Sequence, residues 1–249
     1  MAYIKIINDS GSRLLDDSYQ NMAVQSSGTV TTGYTTTDAT DYYPGDYPSR
    51  GAIARIYINN DAGAYPLVGV RSGTPVAVER YTNGGQTVFL FRTTDPASFQ
   101  YWVFAVPNAI GGNGLVKIYN AAGVKTFDSD LHYARIVGRV DMTEPGGSTP
   151  PAYAGNQGWV CPWAGSYSFD SSRTHAAVQI ASGSYWDIDG RGSDTDSLSG
   201  RFAAGYFSGE TFVTGYTARS GADGGGGDGG YDAIGNLSGS WLIFDVTGY

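Results

Sequence analysis

A thirteen-residue pattern occurs twice, and it constrains the fold more than any other feature of the chain. IKIINDSGSRLLD, Ile4 to Asp16, returns as VKIYNAAGVKTFD, Val116 to Asp128, 112 residues further on. Lys5/Lys117, Ile6/Ile118, Asn8/Asn120, Gly11/Gly123 and Asp16/Asp128 are identical pairs, and Ile4/Val116 and Arg13/Lys125 keep their character. Each copy reads as an alternating strand, an Asn-x-x-Gly turn and a second strand, which is a β-hairpin signature. A repeat at this spacing predicts two similar β-units in tandem. The shared positions are turn and packing residues, so what repeats is architecture rather than reactive chemistry.

The 249 residues suffice for two ordinary cores. Thirty-seven glycines, nineteen tyrosines and only three lysines (Lys5, Lys117, Lys125) leave helix formers scarce and strand formers plentiful. A formal net charge of −8 argues against nucleic acid, whose binders concentrate Lys and Arg to displace counterions. It argues equally against anionic membrane surfaces, and no apolar run approaches the ~20 residues that span a bilayer. The opening MAYIKIINDSG lacks a secretory pattern and predicts a protein made in a cytoplasm. The single cysteine, Cys161, between Val160 and Pro162, fits a small buried apolar role.

Short β-branched or aromatic runs bounded by Gly, Pro, Asn and Asp predict strands in both repeats, and no stretch carries the periodicity of a long helix. The expected fold is all-β, with two tandem β-sandwich-like domains at 1–110 and 114–249, separated by Ile110-Gly-Gly-Asn-Gly114, and with long Gly/Tyr/Asp-rich loops. Thr31 to Gly51 reads as one such loop. YWVFAV (Tyr101–Val106) and SWLIFDV (Ser240–Val246) each set a Trp at the head of an apolar strand and are expected to close the two domains against the opening hairpins. Trp102, Trp241, Phe104 and Phe244 read as core.

Catalytic patterns are missing from the sequence. Twenty aspartates against three glutamates direct attention to metal sites, and Asp187 and Asp189 occupy positions one and three of a calcium-type loop with Gly192 at position six. Arg191 then stands where an oxygen ligand is needed and Leu198 where the bidentate Glu belongs, so the loop departs from the EF-hand pattern. Asp and Gly making turns account for the same residues; calcium held by Asp187, Asp189, Asp194 and Asp196 in another geometry stays open, and no other cofactor is expected. The glycine-rich stretch Asp223–Asp232 lacks the nonapeptide calcium pattern and reads as a contact loop. His132 and His175 have no nucleophile beside them and read as surface or edge-strand residues. A glycosidase needs only two carboxylates, which this sequence permits without marking them. Loop tyrosines provide contact area at low entropic cost. Tyr42, Tyr43, Tyr47, Tyr206, Tyr216 and Tyr231, with Trp186, Asp187 and Asp189, are therefore the candidate contact residues.

The stretch GLVKIYNAAGVKTFDSDLHYARIVG, Gly114 to Gly138, resembles a module of tail-tip and tail-fibre accessory proteins of tailed bacteriophages, in which a Gly-Leu-x-(Val/Ile)-x-Asn-x-x-Gly hairpin precedes Phe-Asp-Ser and an Arg-bearing apolar strand. Gly114, Leu115, Asn120, Gly123, Phe127, Asp128, Ser129 and Arg135 carry the resemblance. The first copy departs from it, with Leu15-Asp16-Asp17 in place of Phe-Asp-Ser. The resemblance implies a structural virion protein, a minor tail protein made in the bacterial cytoplasm, assembled with other phage tail proteins as a homo-oligomer, a trimer by analogy, and engaged in host attachment through a surface glycan or protein receptor. It marks no catalytic residue. A carbohydrate-binding lectin-like module using Tyr185, Trp186 and the Asp187–Asp196 loop is the alternative, and a polysaccharide-trimming hydrolase is the third reading.

Overall fold

The computed structural model describes residues 5–7, 13–16, 22–34, 51–59, 65–143, 165–189, 196–223, 234–235 and 238–249, with only the backbone course given for 5–7, 13–16, 184–189, 196–201, 218–223 and 234–235. The fold is all-β. Its strands are β1 (Lys5–Ile7), β2 (Arg13–Asp16), β3 (Ala23–Thr31), β4 (Gly33–Tyr34), β5 (Ala52–Asn59), β6 (Leu67–Arg71), β7 (Ala77–Asn83), β8 (Gln86–Thr93), β9 (Ser98–Ala105) and β10 (Lys117–Tyr119). They continue as β11 (Lys125–Asp128), β12 (Arg135–Met142), β13 (Ser166–Ser168), β14 (His175–Ser182), β15 (Ser184–Asp189), β16 (Asp196–Ser208), β17 (Thr211–Asp223), β18 (Ile234–Gly235) and β19 (Gly239–Asp245). Among the described residues the only helical element is a 3-10 turn at Pro107–Ala109.

The sequence repeat is a structural repeat down to its irregularities. In the first hairpin Lys5 faces Asp16, Ile6 faces Leu15 and Ile7 faces Arg13. In the second, Lys117 faces Asp128, Ile118 faces Phe127 and Tyr119 faces Lys125, with the register slip at the same step. The correspondence runs on into β3 and β12. Ala23, Val24 and Ser26 face Ala105, Phe104 and Val103 across a bulge, while Arg135, Ile136 and Gly138 face Asp245, Phe244 and Ile243 across an equivalent one.

These registers make Phe104 and Phe244 equivalents and set Trp102 and Trp241 one residue out of step. Because side chains alternate along a strand, that single residue sends the two tryptophans to opposite faces. Trp102 packs with Phe104, Ala176, Val178, Phe244 and Val246, whereas Trp241 packs with Val140, Met142, Phe207, Phe212 and Ile243. All four expected core aromatics are buried. The closing strands do not pair with the opening hairpins: β9 lies between β3 and β6, and β19 between β12 and β14.

The expected division near residue 110 does not coincide with a division of the sheets. One six-stranded sheet runs β12-β19-β14-β6-β9-β3, so three strands from each side of residues 111–114 share it. Its order is a palindrome under the repeat, and β6 meets β14 at the middle, where Gly69 faces Val178 and Val70 faces Ala177. Gly69 fits closely there: a Cβ would sit 3.0 Å from the Phe104 ring and 3.3 Å from Ala176. Above this junction the equivalent rings of Phe104 and Phe244 meet edge to face at 4.7 Å. The sheet curls until the start of β3 meets the residues just before β12, since Ala23 bridges Tyr133 and the Ala134 amide donates to Met22 O at 2.8 Å.

The second layer repeats the design. Strands β4-β5-β8-β7 cover one half and β13-β17-β16-β15-β18 the other. Thr93 Oγ1 donates to Ala52 O and Thr214 Oγ1 to Gly165 O, each at 3.4 Å, which makes β8 and β17 counterparts. The two sheets touch through Val76 and Gly205, whose amides exchange hydrogen bonds of 3.1 and 3.2 Å. Val68, Val70, Phe89, Phe91 and Phe99 fill one half of the interlayer space, and Phe207, Phe212, Tyr216 and Trp241 the other. A Cβ at Gly205 would overlap the Phe212 ring, whereas one at Gly215 meets nothing within 4 Å. Gly205→Ala is expected to cost about 1–3 kcal/mol through overpacking, against little or no loss for Gly215→Ala, as measured by chemical denaturation.

Candidate functional site

The hairpin module that carries the resemblance is built around one carboxylate. Asp128 is fully buried, and its Oδ1 accepts from the amides of Gly114 at 3.0 Å and Asp130 at 3.1 Å, while Lys125 Nζ donates to Oδ2 at 3.2 Å. Burial opposes its charge, but the Asp130 amide, Lys125 and the Gly114 amide outweigh that and hold the carboxyl below its ordinary range. The other motif residues also act locally. Asn120 Oδ1 accepts from the Ala122 and Val124 amides, Gly123 turns the chain at φ +77, Ser129 Oγ accepts from Val116 N, and Phe127 stacks on Tyr133 at 5.1 Å. Gly114 is required because a Cβ would overlap Asp128 Oδ1. Leu115 contributes nothing to this packing, since it is fully exposed, beside half-exposed Val116 and Tyr119.

A second polar cluster ties the halves together. Arg71 on β6 donates to Glu210 Oε2 at 3.1 Å, to Gly209 O and to His175 O, and His175 Nδ1 lies 2.7 Å from Glu210 Oε2. His175 is therefore buried, 1% exposed, and not a surface residue as its sequence context suggests. It heads β14 within the sheet, paired with Asp245, and tilts against Phe169 at 5.4 Å. His132, by contrast, is exposed and packs on Tyr249. Burial opposes the charge on Glu210, but Arg71 and His175 more than compensate and lower its pKa. Asp245 behaves alike: burial raises its pKa, yet Thr247 and Arg173 bring it down to about 2. Arg173 and Arg135 both pair with its Oδ2.

Among the described residues, Asp128, Asp141, Asp170, Glu210 and Asp245 are all held below their ordinary range, away from that of a general acid. The Arg71, His175 and Glu210 groups bond to one another. Among the described residues no three His, Cys, Asp or Glu side chains stand close enough to hold a metal ion.

The candidate contact residues fare differently. Tyr42, Tyr43, Tyr47 and Tyr231 lie outside the described residues, as does Cys161. Trp186, Asp187 and Asp189 belong to strand β15 rather than a loop, paired with Gly200, Ser199 and Ser197 of β16. Tyr206 is half-buried on β16 opposite Val213. Tyr216 is a core residue, 4% exposed: it shares a strand face with Phe212 and Thr214, and alternation along β17 turns all three inward.

Sequence reading missed the outer face of the β5-β8-β7 sheet. Tyr57 and Tyr81 stand exposed on either side of buried Val88, and Arg55 Nε donates to Tyr81 Oη at 3.1 Å. The alternation in ARIYI, with Ile56 and Ile58 inward, is the signal that marks Tyr57 as outward. Comparison with known proteins finds no matching family model, no matching curated protein and no matching solved structure.

The depressed carboxylates set the acid limit of the fold. A lowered folded-state pKa gives stability that is complete above the unfolded value, about 4, and is lost as pH falls through the folded one. The thermal midpoint is therefore expected to fall between about pH 4 and pH 2, the latter set by Asp245. Asp245→Asn should flatten that decline while lowering the midpoint at pH 7, as read by circular dichroism.

Proposed function

We propose that this protein is a structural, non-enzymatic component of a bacteriophage tail tip or tail fibre that takes part in host attachment. The observation that carries this reading is the Gly114–Gly138 module, in which Gly114, Asn120, Gly123, Phe127, Asp128 and Ser129 build the hairpin, Arg135 pairs with Asp245, and Leu115 is left fully exposed. A fully exposed leucine at the base of the hairpin, two residues before β10, suits docking on a neighbouring virion protein. Carboxylates held ionised in structural contacts suit a scaffold better than a hydrolase. Among the described residues no helix is long and apolar enough to cross a membrane.

Electron microscopy of particles carrying a tagged copy tests the assignment, and density for the tag at the tail tip is the expected result. Leu115→Asp should keep the thermal midpoint and lose incorporation into particles. Wild-type particles without the protein would end the proposal.

The glycan-binding reading is favoured by a separate observation, the exposed Tyr57 and Tyr81 beside Arg55, because flat aromatic faces with a nearby donor stack on sugars. Binding on a glycan array, weakened about tenfold or more by Tyr57→Ala, is its expected signature; indifference to every glycan would exclude it.

A further inference from the structure

The two outer strands of the six-stranded sheet are repeats of one another, yet they treat their free edges differently. Strand β12 carries Arg135, Arg139 and Asp141. Arg139 pairs with Asp141, the Tyr167 hydroxyl donates to the Asp141 carbonyl at 3.4 Å, and the Phe169 ring lies against Gly138. Charge and cover of this kind are how sheets prevent further strands from adding. Strand β3, AVQSSGTVT, has neither a charged residue nor a proline. Gln25, Ser26, Ser27, Thr29 and Thr31 are exposed, and among the described residues its outer edge is engaged only at its start, by Ala23 with Tyr133 and by Val24 N with His132 O. From Ser26 to Thr31 the register with β9 is unbroken, so alternate backbone N–H and C=O groups face away from the sheet.

We infer that the Ser26–Thr31 edge pairs antiparallel with the same edge of a second copy of this chain, joining two six-stranded sheets across a twofold axis. Charge selects this occupant. Two copies carrying −8 each repel, and a strip without charge lets them approach with no like charges directly opposed. An isologous contact of one strand with itself meets that condition at every position. The inference goes beyond the tail-protein reading and does not depend on it.

Sedimentation equilibrium of the full chain tests it. The wild type is expected at twice the 26.3 kDa chain mass, and Ser27→Lys/Thr29→Lys at the single-chain mass with an unchanged thermal midpoint. Arg139→Ala on β12 should remain a dimer. Hydrogen exchange of the wild type supplies a measurement without variants: the outward-facing amides of residues 26–31 should gain protection as concentration rises, and those of β12 should not. A wild type at one or three chain masses, a dimer indifferent to the lysines, or protection independent of concentration would overturn it.

Discussion

The antiparallel junction of β6 with β14 holds the molecule together. Two register pairs, Gly69 with Val178 and Val70 with Ala177, convert two three-stranded half-sheets into one of six. Without that junction each half would present an unpaired inner edge, the feature that sheet proteins most need to conceal. The missing side chain of Gly69 lets the Phe104 ring settle over the seam and meet Phe244, its equivalent from the other half. The same approach is repeated one layer away, where Gly205 gives Val76 a backbone partner and Phe212 room for its ring. Both seams use glycine because a side chain packs over the backbone there, Phe104 and Ala176 at Gly69 and the Phe212 ring at Gly205, where a Cβ would stand.

The electrostatics follow from this geometry. In a chain with a surplus of acid, the carboxylates that can be described are engaged as acceptors: Asp128 inside its hairpin, Glu210 across the seam from Arg71, Asp245 between Arg135 and Arg173. Each is stabilised as an anion by neighbours that packing fixes in place. Such groups strengthen the scaffold near neutral pH. The exposed features left over, Leu115 on its hairpin and Tyr57 and Tyr81 on an outer sheet face, are flat or protruding and suit contact with large partners.

Much of the local structure was legible in the sequence because its causes are local. The Asn120-x-x-Gly123 turn sets the second hairpin, and β11 spans the Lys125–Asp128 run that its pattern predicts. The apolar runs YWVFAV and SWLIFDV placed Trp102, Phe104, Trp241 and Phe244 in cores. The errors arise where a property depends on register or on distant chain. Trp102 and Trp241 look equivalent until pairing shows Phe104 matched to Phe244, and Tyr216, beside Gly215, looks exposed until its face of β17 is seen packed in the core with Phe212 and Trp241. His175 has no sequence signal for burial, since Glu210 and Arg71 lie 35 and 104 residues away.

The sequence by itself determined the all-β class, the duplication, the hairpin geometry and the apolar face of each strand, because these depend on neighbours within a few residues. Only the tertiary structure decided that the duplicated halves share one sheet, which strands form the seam, and which carboxylates meet which cations. Those outcomes depend on which edges find each other across more than a hundred residues, and a side-chain pattern with a period of two says which face a residue takes but not which strand will lie beside it.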